Sequence, residues 1–157
     1  MSEGRFLEVR PAIEADLPAW LELATEVSEL FGAEMAGDPE FRRMLERNVS
    51  RGNAFCVDVG GRLAGAMLFR ANRITWLGVR SEFRRRGVGR ALVIHAVAAA
   101  DADVHVVTFG DDHPHPEAVG ARALFEVLGF AVLDAKLPAA PDGTPRQSMV
   151  KRARSRR

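Results

Sequence analysis

The sequence predicts one α/β domain on a mixed β-sheet, and three observations carry the prediction. Residues 73–91, RITWLGVRSEFRRRGVGRA, pass from a β-branched and aromatic segment through three consecutive arginines and a Gly-x-Gly turn into an apolar helical stripe. That composition and order read as strand, loop and helix. Gly60-Gly61 separates two strand-like runs, 54–59 and 63–69, and paired glycines in that place are a hairpin signal. Residues 104–109, VHVVTF, form an apolar run, as expected of a buried strand parallel to the 73–79 strand across a helical crossover.

Taken in order, residues 6–10 alternate as a first strand that Pro11 ends. Asp16 is placed to cap the helix that follows, with Pro18 tolerated in its first turn. Leu17, Trp20, Leu21, Ala24, Val27 and Phe31 then mark one helical face. Residues 32–37 break it, and Asp38-Pro39 joins a cap to a first-position proline ahead of a second stripe, Phe41, Met44, Leu45 and Val49. After the hairpin, Asn72 turns the chain into the central strand. Val88, Leu92, Val93, Ala96, Val97 and Ala100 stripe a third helix, closed near Asp101. Ala118, Ala121, Leu124, Phe125 and Leu128 stripe a fourth, which Gly129 ends. Residues 130–137 and 147–152 read as two final strands around a Pro/Gly loop. The resulting order is β-α-α-β-β-β-α-β-α-β-β.

At 157 residues, with 47% hydrophobic and 27% charged, the chain has the size and composition of a single globular domain. That domain is expected to span 1–152, with a basic tail at 153–157. The net charge of +1 is unevenly spread: the last seven residues, KRARSRR, hold five basic groups and leave 17 basic against 21 acidic residues elsewhere, a net −4. An acidic body argues against a nucleic-acid partner, and the tail reads as a solvated, disordered end. The one cysteine, Cys56, excludes an internal disulfide and sits in an apolar run as an inert thiol. No apolar run reaches membrane-spanning length, and no metal site is expected. The N-terminal MSEGRFLEVR lacks a secretion-signal layout, so the expected location is cytoplasmic.

The Gly-rich turn carries the functional signal. Gly87 and Gly89 let backbone N–H groups approach a ligand without a Cβ in the way, and the helix start beyond them adds unpaired donors and a positive dipole end. With Arg84, Arg85, Arg86 and Arg90 around them, the junction suits a phosphate or pyrophosphate. A Walker loop would need Gly-Lys-Ser or Gly-Lys-Thr, which is absent, and a dinucleotide-binding turn would need a third glycine where Leu92 stands. Leu77-x-Val79 followed by Arg84-x-x-Gly87-x-Gly89 at a helix start resembles instead the acetyl-CoA-binding motif of the GNAT superfamily of N-acyltransferases. The element order is also that of the GNAT fold. Val9-Arg10-Pro11-Ala12, Asp16-Leu17-Pro18 and ARALFEVLGF at 121–130 extend the resemblance to roughly residues 5–152. It implies a largely antiparallel sheet of about seven strands, with a splayed parallel pair at its centre and four helices around it.

The resemblance further implies acetyl-CoA as acyl donor and direct attack, in a ternary complex, by a primary amine of a small molecule or peptide. Such a transfer must hold the donor, polarise the thioester carbonyl, deprotonate the amine and stabilise the departing thiolate. By resemblance, N–H groups across Arg85, Arg86, Gly87, Val88, Gly89 and Arg90 cradle the pyrophosphate, with Arg84 to Arg86 and Arg90 available to its oxygens. The backbone of Leu77, Gly78 and Val79 binds the pantetheine arm like an added strand, and an N–H near Val79 polarises the carbonyl. Many family members carry a tyrosine one residue after the position of Leu124, as proton donor to the thiolate. Here that residue is Phe125, expected to pack against the pantetheine end. An asparagine often found seven residues earlier is here Ala118, and the chain has no tyrosine at all.

For the base, GDDHPHP at 110–116 stands where the two parallel strands should part. A histidine titrates near neutrality, which suits amine deprotonation, and His113 with Asp111 is the candidate pair. The same residues also read as ordinary turn formers. Glu82 reads as part of the phosphate loop, and His95 and His105 as structural. The acceptor is expected over the first two helices and their connection, where Glu29, Glu34, Asp38 and Glu40 make an acidic rim suited to a cationic amine. An N-acetyltransferase is the first reading. A catalytically idle acyl-CoA-binding module acting through a protein partner is the alternative, kept by the missing tyrosine and asparagine. Whether the chain pairs as a homodimer stays open.

Overall fold

The computed structural model describes residues 7–28, 34–110, 112–139, 143 and 145–153. Its strands are β1 Val9–Pro11, β2 Ala54–Val59, β3 Arg62–Arg70, β4 Arg73–Val79, β5 Val104–Phe109, β6 Ala131–Leu137 and β7 Arg146–Lys151. Among the described residues the α-helices are α1 Leu17–Glu26, α2 Pro39–Ser50, α3 Val88–Ala99 and α4 Pro116–Val127. The strands form one sheet in the order β1-β2-β3-β4-β5-β7-β6. All neighbours are antiparallel except β4 and β5, so the expected mixed sheet with one parallel pair is what the chain builds.

The sheet carries a core on each face. On one side Trp20, Leu23 and Leu45 from α1 and α2 meet Trp76 of β4 and the inward residues of β2 and β3. Trp20 and Trp76 lie 5.6 Å apart between ring centroids, and Trp76 Nε1–H reaches Met35 Sδ at 3.3 Å. On the other side Val88, Leu92, Val93 and Ala96 of α3 join Phe125 of α4 and Val104, Val106 and Met149 of the sheet. The central strand is therefore covered on both faces, as its apolar composition requires.

Several boundaries differ from expectation for local reasons. Pro11 lies inside β1 rather than after it, which an edge strand tolerates because no partner needs its missing N–H. Asp16 does not cap α1 through its side chain. Its carboxylate is taken by Arg10, at 2.8 Å to each of two guanidinium nitrogens, and by Ile13 N–H at 2.8 Å, which folds residues 14–16 into a 3-10 turn. Asp38 does cap α2, accepting from Glu40 N–H at 2.9 Å. Gly60 and Gly61 take φ of 58° and 79°, as the β2–β3 turn needs. Just after β7, Ala153 N–H donates to Asp103 at 2.6 Å. Phe6, Phe31, Glu29 and Asp111 lie outside the described residues.

Candidate functional site

The site is built on a defect in β4. Opposite it on β3, Leu68 pairs with Trp76 and Phe69 with Ile74, so Thr75 is an extra residue, a β-bulge. On the other side β5 pairs with β4 only at Arg73↔His105 and Ile74↔Val106. Beyond the bulge the two parallel strands part, and β5 offers no ladder partner to Leu77, Gly78 or Val79. Between them opens a cleft of about 260 Å³, whose walls include Trp76, Leu77, Thr108, Phe109 and, from α4, Phe125. Phe125 is buried and packs edge-on against Phe130 at 5.3 Å. Gly78 serves the core wall here, because a Cβ on it would come within 2.6 Å of the Trp76 ring.

β4 leads into the basic turn through a buried arginine, Arg80, that no motif in the sequence marks. Arg80 donates from Nε to Leu63 O at 2.8 Å and pairs with Glu22 and Glu26 of α1 at 3.3 and 3.5 Å. Glu26 also accepts from Ser81 N–H and hydroxyl at 2.6 and 2.8 Å. Burial pushes the Glu26 carboxyl up, yet the Ser81 bonds and nearby Arg80 bring it net below its ordinary value. This cluster fixes the exit of β4 against α1.

The turn itself alternates in handedness. Arg84 is extended, Arg85 has φ 64° and Gly87 φ 84°. Such alternation gathers successive N–H groups on one side as an anion-binding concavity. The N–H groups of Val88, Gly89 and Arg90 precede the first bond into α3, from Ala91 N to Gly87 O, so they are the orphan donors of a helix start. Arg85 and Arg90 are exposed, and Arg86 stacks over the Phe83 ring at 5.7 Å. Arg84 is half-buried. It donates from Nη2 to Val79 O at 3.0 Å and forms an ion pair with Glu117, tying the end of β4 to the first turn of α4. Glu82 pairs with Arg62 at 2.8 Å.

The two glycines have different jobs. A Cβ on Gly87 would meet open space, with Leu7 Cδ1 nearest at 4.0 Å, so glycine is needed there for its φ. A Cβ on Gly89 would lie 3.1 Å from Leu124 Cδ2 and 3.7 Å from Val79 Cγ2. Gly89 thus keeps α3 close to α4 and β4, rather than clearing the way for a ligand.

The histidine loop is organised by its own backbone. His113 is buried, its ring edge meets Phe109 at 5.1 Å, and its Nδ1 accepts from His115 N–H at 3.1 Å. His115 Nδ1 in turn accepts from Glu117 N–H at 3.2 Å and so caps α4. A neutral imidazole with Nδ1 accepting carries its proton on Nε2 and is a donor at that nitrogen. His113 and His115 thereby also shape the turn that leads into α4. His95 packs on Phe55 at 4.7 Å. Burial pushes the Cys56 thiol up to about 12, so it carries no nucleophile. Thr108, a hydroxyl within the apolar run of β5, is buried at the cleft, and Gln147 of β7 is buried opposite it.

The acetyltransferase (GNAT) domain matches residues 50–132 of the chain. Among curated proteins none matches the chain by sequence. Among solved structures, a ribosomal-protein-alanine N-acetyltransferase from Brucella melitensis superposes with a TM-score of 0.75 at 20% identity, over 94% of this chain and 100% of that one. Ard1 from Thermoplasma volcanium gives 0.73 at 19% identity, over 94% and 98%. The PaiA N-acetyltransferase from Thermoplasma acidophilum, in complex with coenzyme A, gives 0.66 at 16% identity, over 94% and 99%. At these identities the likeness is one of fold. No helix among the described residues is long and apolar enough to cross a membrane.

Proposed function

The chain belongs to the GNAT acetyltransferase family, and from that premise we propose that it is an acetyl-CoA-dependent N-acetyltransferase. Its acceptor would be a primary amine of a small molecule or peptide, attacking the thioester directly. The observation that carries this reading is the parting of β4 from β5 beyond Ile74, because from there on β4 has no strand partner on its β5 side. A pantetheine arm, with two amides, is the kind of ligand that completes such an edge. The N–H groups from Arg85 to Arg90 would take the pyrophosphate, helped by the exposed Arg85 and Arg90. Arg84 would act at one remove, by holding the loop to α4.

An N–H near Val79 would polarise the thioester carbonyl, and Phe125 would close the cleft against water. His113 enters as a positioning residue for the loop before α4. The acceptor would approach over α1 and α2, where Glu34, Asp38 and Glu40 are exposed. A peptide amine is in keeping with the alanine N-acetyltransferase whose fold this chain shares.

The test is a calorimetric titration with acetyl-CoA, followed by an amine screen read as release of the CoA thiol. Binding with micromolar or tighter affinity and release with at least one amine are expected. Tight binding without turnover across small amines and peptide N-termini would favour the idle acyl-CoA-binding module, and no binding would defeat both readings.

A further inference from the structure

The cleft is walled mainly by apolar groups, yet one buried polar pair stands at its side. Thr108 borders the cleft and is buried. Along β5, Val104, Val106 and Thr108 point to one face by strand alternation, and that face is the one where Phe125 packs. Directly opposite Thr108 in the β5–β7 register is Gln147. Residues so paired hold their Cβ atoms roughly 4.5–5.5 Å apart on the same face. Gln147 is 1% exposed, and its Nε2 has no hydrogen-bond partner among the described residues. Thr108 is thus a buried hydroxyl on the wall of the cleft, with Gln147 opposite it on the neighbouring strand. The other polar side chains at the cleft are differently placed: Thr75 is exposed on the bulge, and Arg146 donates to the carbonyls of Pro138 and Ala139.

We infer that the Thr108 hydroxyl holds the sulfur that leaves during acyl transfer; this rests on the acyl-CoA reading above. In that transfer the amine nitrogen forms a bond to the thioester carbonyl carbon, and the carbon–sulfur bond breaks with its electron pair passing to sulfur. Negative charge grows on the sulfur, where Thr108 Oγ1–H donates a hydrogen bond. The proton shed by nitrogen goes to solvent, and the sulfur recovers one from solvent after the bond has broken. A threonine hydroxyl is too weak an acid to give up its proton here, so its part is charge stabilisation. Phe125 has no hydroxyl to offer in its place.

The test uses the full chain with CoA itself. Calorimetry establishes CoA binding to the parent, Thr108→Val, Thr108→Ser and Gln147→Met proteins, and the ultraviolet absorbance of the thiolate then titrates the bound thiol. In the parent the thiol should ionise below the ~8.5 of an ordinary thiol. Thr108→Val should raise that midpoint by about one pH unit, a tenfold loss in preference for the thiolate, and Thr108→Ser should bring it back. Gln147→Met, which keeps the hydroxyl, should leave it near the parent's. With an amine substrate, Thr108→Val should lower kcat about tenfold, as removal of one bond to a charged group does, with KM for acetyl-CoA nearly unchanged. Equal midpoints in parent and Thr108→Val, or a shift that Thr108→Ser does not reverse, would overturn the inference while CoA binding stood. A parent that fails to bind CoA would instead overturn the acyl-CoA reading beneath it.

Discussion

Replacing Gly87 by alanine separates the backbone shape of the basic turn from its charge. Gly87 holds φ at 84°, a region that costs an L-residue roughly 1–2 kcal/mol. Nothing crowds a Cβ there, the nearest atom being Leu7 Cδ1 at 4.0 Å, so the cost is conformational and not steric. Alanine also stiffens the unfolded chain, which returns roughly 0.4–1 kcal/mol. The balance is about 0.5–1 kcal/mol of destabilisation, or roughly 1–4 °C in Tm for a chain of this size. Gly89→Ala is the control. Its Cβ would press only on the mobile end of Leu124 at 3.1 Å, while alanine inside α3 gains up to ~1 kcal/mol of helix propensity. Gly89→Ala should therefore melt near the parent, and Gly87→Ala below it. If the turn's N–H groups hold the pyrophosphate, Gly87→Ala should also weaken acetyl-CoA binding about tenfold, as loss of one charge-assisted hydrogen bond does. Differential scanning calorimetry and titration calorimetry read the two effects. A Gly87→Ala protein that melts with the parent and binds acetyl-CoA as tightly would refute the reasoning.

Other expectations follow from single contacts. The Asp16 carboxyl is held below its ordinary value of 3.8 by the Arg10 guanidinium, so the pair's contribution is present above that value and lost as pH falls through the lower folded one. Asp16→Asn should therefore cost about 1–2 kcal/mol at neutral pH and little in strongly acidic buffer; urea melts showing the same cost at both would count against it. His113→Ala should lower turnover by a constant factor across pH, because it loosens the loop before α4, whereas a loss that vanishes in alkaline buffer would restore His113 as the base. Phe125→Tyr should recover part of the turnover lost in Thr108→Val by adding a second hydroxyl at the cleft, and a further loss in the double variant would place the ring in the acceptor's path. Cys56 is fully buried, so Ellman's reagent should find no protein thiol until denaturant is added.

The parts of this fold that are legible in the sequence are those set by local chemistry. Gly60-Gly61, Asp38-Pro39 and the apolar runs of β4 and β5 act through turn preference, capping and burial, and each forms the expected element. Asp16 shows where local reasoning stops: as a cap it needed only its own helix, but Arg10, brought across by β1, offers a charged partner and wins. Arg84 and Gly89 also have long-range neighbours that no local rule foretells. Each stands at the expected place in the motif, yet Glu117 and Leu124, distant in sequence on α4, decide where one side chain goes and why the other has none. The bulge at Thr75 leaves no mark on composition, since it exists only in the register between β3 and β4. Gln147 reads as an ordinary strand residue until its burial and its unmet donor are seen.

Mass spectrometry of a mixture of small amines and peptides, incubated with acetyl-CoA and the protein, tests the central claim most directly. The account predicts that at least one primary amine gains an acetyl group, in step with CoA thiol release, and that the gain falls in Gly87→Ala. Acetyl-CoA bound in the cleft with no amine acetylated, under conditions where the parent stays folded, would contradict it.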